Sequence, residues 1–90
     1  MFALFTAVRF NADQGGEEQA VQVLQERLIP QLKQVPGFVK GTWFGNETLG
    51  HGLFLFETEE QAQQAVQPVG SDMFGTTVVS SDVYRLHAEA

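Results

Sequence analysis

The sequence predicts an α+β fold: a four-stranded antiparallel sheet with two helices on one of its faces, in the order β-α-β-β-α-β. Three observations predict it. Phe2–Phe10 alternates with a two-residue period. Val21, Leu24, Leu28, Leu32 and Val35 recur at three- and four-residue steps, the apolar stripe of an amphipathic helix. Two aromatic-rich runs between Phe38 and Phe56 are separated by turn residues, as in an antiparallel hairpin.

The elements follow in order. In the first strand, Phe2, Leu4, Thr6, Val8 and Phe10 share one face, and Ala3, Phe5, Ala7 and Arg9 the other. Both faces are largely apolar, so both are expected to be covered. Asn11 to Gly16 is a loop. Glu17 and Glu18 then suit the positive end of the first helix. Pro30 removes the amide that would bond to the Glu26 carbonyl, which predicts a kink or break there. The helix is expected to stop at Pro36-Gly37.

Phe38–Gly45 reads as the second strand and Gly52–Phe56 as the third, with "GNETLGHG" as their turn. Thr58 and Gln61 have the spacing of a capping box at the start of the second helix, which Pro68 and Gly70 end. "SDMFG" reads as a short or loosely helical turn. Thr76–Leu86 is the last strand, with Val78, Val79 and Val83 expected to pack. One domain covers residues 1–90. If both helices lie on one face, the other is left apolar. Phe5, Leu53, Leu55 and, depending on register, Trp43 would lie there, so a two-fold homodimer with its sheets face to face is expected.

Composition narrows the function classes. The formal net charge is −6 and the five basic residues are scattered, so there is no cationic stripe for nucleic acid. No basic amphipathic helix addresses a membrane surface. With no cysteine there is neither a disulfide nor a thiolate metal site. His51 and His87 have no metal-ligand spacing, so no metal is expected. "MFALFTAVRF" lacks the pattern of a signal sequence or a membrane span and reads as the first strand of a cytoplasmic protein. The glycines before the first helix form no phosphate loop, because two glutamates follow them at once.

The helix ending in "VPGFV", the aromatic hairpin, "FLFETEEQAQQAV" and a valine-rich closing strand together resemble the dimeric α/β-barrel superfamily. Its antibiotic-biosynthesis-monooxygenase type is the most similar. The resemblance spans nearly the whole chain and implies a ferredoxin-like subunit in a barrel-forming homodimer. It also implies cofactor-independent oxygenation of flat phenols or quinols, or binding of such molecules. The haem-degrading branch is not implied. Its first-strand asparagine is missing among Thr6, Ala7 and Val8. Glu57 stands where its tryptophan would be, and "SDMFGTTVVSS" holds no histidine.

Five residues are candidates for the site, each with a plainer alternative. Trp43, the only tryptophan, offers a flat stacking surface or a place in the core or interface. His51 is a candidate acid or base, or a solvated turn residue. Glu57 is a candidate base, or an acid serving the second helix's N-terminus. Arg9 and Tyr84 are candidates to hold an oxyanion. The plainer alternatives for Arg9 are a place at the strand's end, reaching water, or a pair with a carboxylate such as Glu57 or Asp82; the pair is preferred, because a charge on an apolar strand face needs a partner. No cofactor is expected. A non-enzymatic, ligand-binding or structural homodimer is the alternative function.

Overall fold

The computed structural model describes residues 1–90 as four strands and two helical segments. Strand β1 (Phe2–Phe10) lies at the centre of the sheet. It pairs antiparallel with β3 (Leu49–Phe56) on one side and β4 (Thr76–Arg85) on the other, and β2 (Phe38–Gly45) pairs with β3 at the edge. The order β2-β3-β1-β4 makes an open α+β sheet, consistent with a ferredoxin-like fold. Residues of both helical segments meet the same face of β1 and β3.

The first helical segment begins as α1 (Gly16–Val23), with Glu17 and Glu18 in its first turn as expected. Pro30 neither breaks nor sharply ends it. The backbone passes through a π-helical stretch, Leu24–Leu28, into α2 (Ile29–Leu32). The Ile29 N–H donates to the Leu24 carbonyl, one residue further back than in an α-helix. This wider turn absorbs the proline locally, and the rod continues.

The hairpin is tighter than its sequence implies. β3 starts at Leu49, so Gly50-His51-Gly52 lies inside the strand. The Asn46 side chain accepts hydrogen bonds from the Thr48 and Leu49 amides at 2.8 and 2.9 Å, closing the turn over three residues. The 71–75 stretch is a second tight turn, with Met73 and Thr76 exchanging backbone hydrogen bonds. Phe74 and Gly75, at its centre, both have positive φ (55° and 84°), the signature of a hairpin turn that matches strand twist.

Two β-bulges decide which side chains face the helices. The β2–β3 register shifts between Phe38 and Lys40, so Phe38 and Trp43 both reach the helix side despite opposite parity. Trp43 is therefore not on the open face with Phe5, Leu53 and Leu55. The β1–β4 register shifts between Ala7 and Val8, leaving Val79 as the extra residue. Val78 is consequently buried, whereas Val79, which was expected to pack, is 43% exposed.

The core is small: Leu4, Phe54, Phe56 and Ala62 are buried together, with Phe2, Leu32, Phe38 and Val83 packed around them. Ala62 belongs to α3 (Glu59–Gln64), which opens with the expected capping box. Thr58 Oγ1 accepts from the Gln61 amide at 3.2 Å, and Gln61 Oε1 accepts from the Thr58 amide at 3.1 Å. The "VPGFV" stretch has its physical reason here. Gly37 has φ +82°, and a Cβ on it would run into the Gln61 side chain. Its carbonyl also accepts from the Glu57 amide at 3.0 Å. Gly37→Ala should therefore cost about 1–3 kcal/mol, from the left-handed backbone and the disturbed cap together. Urea denaturation checks it. A loss no larger than a few tenths would mean that the cap does not depend on this glycine.

Candidate cleft between sheet and helices

No residue of the first helical segment is buried. Its apolar stripe stands off from the sheet, and a cleft lies between them. One part is a cavity of about 340 Å³. Its walls are Ala20, Val21, Leu24 and Leu28 of the helix, and Val8, Phe10, Trp43 and Phe54 of the sheet. A second cavity of about 370 Å³ adjoins it, with Leu4, Leu32, Val35 and Phe56 in its walls. Thr6, Leu28, Phe54 and Met73 line both, so the two form one groove.

The floor of the first cavity is made by absent side chains. A Cβ on Gly50 would lie 2.7 Å from the Phe10 ring, and one on Gly52 2.6 Å from the Phe54 ring. These glycines let the rings of Phe10, Trp43 and Phe54 lie across the strand. Trp43 and Phe54 meet edge to face at 5.4 Å, leaving flat aromatic walls. The alternation Gly50-x-Gly52 within an aromatic strand was the legible sign of this floor, and reading it as a turn concealed it.

Of the five candidate residues, Trp43 and His51 line the first cavity, and the ring of His51 is directed away from it. His51 pairs with Ala7 on the opposite face. Its ring stacks on Phe5 at 5.5 Å and on Phe44 at 5.4 Å, and its Nδ1 is buried without a hydrogen-bond partner. Tyr84 is opposite Ala3 on that same face and is exposed. Arg9 is exposed at one end of β1, opposite Leu49 and Thr77. Glu57 follows Phe56, which is opposite Phe2, so it lies at the other end of that strand. Seven residues of strand, roughly 23 Å, separate the two ends, so Arg9 and Glu57 do not pair. Asp82 is opposite Phe5, four residues from Arg9 along β1, and is not its neighbour in register. Glu57 itself is exposed.

The structure thus separates two groups. The cleft holds Trp43 with apolar walls and neutral polar residues. The open sheet face holds the aromatic cluster Phe5–Phe44–His51, with Leu53 and Tyr84 beside it. No group of three or more metal-ligating side chains is brought together. No helix is long and apolar enough to cross a membrane. The chain matches no protein-family model, and no curated protein matches it significantly in sequence.

Proposed function

We propose that the chain binds a small, flat, apolar molecule in the groove between sheet and helices. The observation that carries this is the cavity of about 340 Å³ lined by Trp43, Phe54 and Phe10, whose rings lie over Gly50 and Gly52. Its size falls within the usual range for small-molecule sites, and aromatic faces without bulky side chains suit a planar ring system. The oxygenase chemistry implied by the family resemblance is the second reading. It needs an acid–base group against the bound ring, and the side chains of His51, Glu57, Arg9 and Tyr84 all lie outside the cleft. Binding is therefore the function that the geometry supports best.

We further propose that the working form is the homodimer expected of a dimeric α/β barrel, with the open faces packed together. Phe44, Leu53 and Tyr84 are 52%, 38% and 55% exposed there, three large side chains open to water on one face, while Leu55, expected among them, is only 5% exposed. Four strands about 4.8 Å apart and about eight residues long give a face of roughly 500 Å² in projection. Lys40 is on the β2 edge of this face, beside Leu55, and Asp82 on the β4 edge, beside Phe5. A two-fold axis along the strands lays β2 over the partner's β4 and brings Lys40 near the partner's Asp82.

Binding is tested with N-phenyl-1-naphthylamine, a neutral probe whose emission rises on leaving water. Its emission should rise with the protein, and Trp43 emission should fall as the probe binds. Ala20→Phe, which puts a ring into the cavity from the helix side, should weaken binding by tenfold or more. If the probe does not bind, or binds equally well to Ala20→Phe, the groove is not the site.

A further inference from the structure

We infer, on the binding role proposed above, that the cleft selects its ligand by charge: it takes neutral and cationic flat molecules and rejects anions. No lysine or arginine lines either cavity. The basic residues are elsewhere: Arg9 and Lys40 are on the open face and its edge, and Arg27, Lys33 and Arg85 are exposed. The cleft's charged side chain is a carboxylate. Glu17 is exposed in the first turn of α1, on the same stripe as Ala20, Val21 and Leu24, and lines the open side of the first cavity with them. His51 reaches that cavity's rim, but its ring is stacked on the far side of the sheet.

Besides Glu17 and His51, the groove's polar side chains are neutral, and its two threonines already make one hydrogen bond each. Thr6 Oγ1 is hydrogen-bonded to Ser81 Oγ at 3.0 Å, and Thr76 Oγ1 donates to the Met73 carbonyl at 2.6 Å. An anionic group entering the groove would shed water, meet no cation, and approach the Glu17 carboxylate. Such a charge is unpaired, and its burial is unfavourable. A cation meets the reverse situation: Glu17 attracts it, and the faces of Trp43, Phe54 and Phe10 favour it. The same reasoning applies to a phenol inside the groove. Its deprotonated form is the disfavoured one, so the site holds such a ligand as the neutral phenol rather than as the phenolate that reacts with oxygen.

The test is displacement of N-phenyl-1-naphthylamine by three ligands sharing one ring system: 2-naphthylmethanol, 2-naphthoate and 2-naphthylmethylammonium. Working near physiological ionic strength, where the Debye length is about 8 Å, limits the contribution of the chain's distant charges. The alcohol and the ammonium should displace the probe readily, and the carboxylate should need about tenfold more or worse. Glu17→Gln should narrow the gap between ammonium and carboxylate. Naphthoate competing as well as the alcohol, or a gap untouched by Glu17→Gln, would overturn the inference while leaving the groove a binding site. Failure of the probe itself to bind would instead remove the binding reading and the charge selectivity with it.

Discussion

Leu53→Asp should return the proposed dimer to a folded monomer of 9.9 kDa. Leu53 is on the open face between Thr42 and Phe5, and it is 38% exposed in the single chain. Because that face is partly in water in the monomer, a carboxylate there is tolerated by the isolated fold. Packed against a second copy, the same carboxylate is stripped of water among Phe5, Phe44 and Tyr84 without a cation beside it. Burying an unpaired charge costs several kcal/mol. Each 1.4 kcal/mol is about tenfold in affinity, so the dimer should weaken by at least a hundredfold. Light scattering after gel filtration reads the mass, and circular dichroism confirms that the fold survives. A variant that keeps the wild-type mass would place the interface elsewhere.

Phe56→Ala should be the most damaging single truncation in the core. Phe56 is 0% exposed, packs edge-on against Phe38 at 5.8 Å, and sits in the core cluster with Leu4 and Ala62. It ends β3 just before Thr58 caps α3, so it joins sheet, second helix and the start of β2. Truncating a fully buried phenylalanine costs about 3–5 kcal/mol. A chain of this length has a total stability of roughly 5–13 kcal/mol, so the loss is a large fraction of the whole. The core offers little to collapse into the void, because it is small and the first helix stands off from it. Urea denaturation at fixed protein concentration should show a midpoint far below wild type. Phe44→Ala, at a site 52% exposed, should leave the monomer's stability almost unchanged. With both truncations made in the monomeric Leu53→Asp background, where association contributes nothing, equal effects would mean that the core lies elsewhere.

Much of the fold was legible because it is local. The alternation of β1, the run from Phe38 to Gly45, the Thr58–Gln61 cap and the helical stripe are set by nearest neighbours and their periods. The misses have specific causes. Glycines ordinarily mark turns, so Gly50-His51-Gly52 read as a turn, whereas the strand uses them to make room for rings. Bulges at Val39 and Val79 each reverse a face, and no local pattern announces them. That reversal moved Trp43 into the cleft and Val79 out of the core.

The candidate site was less legible than the fold. A cleft arises where two elements fail to touch, and the sequence of the first helix shows only the stripe that could have been buried. Arg9, a charge on a largely apolar strand face, pointed to a carboxylate such as Glu57, but pairing depends on where the strand ends fall, and Arg9 reaches water at its own end. His51 had the residue type for acid–base work, yet the two-residue period that places Gly50 and Gly52 toward the helices places its ring on the other side.

We propose a division of labour between the two faces of one sheet: the open face joins a second chain, and the helix-covered face holds a ligand. Native mass spectrometry of the chain with N-phenyl-1-naphthylamine tests both halves at once. The expected species is a dimer of two 9.9 kDa chains carrying two probe molecules, one in each groove. A monomer, or a dimer that carries none, would contradict it.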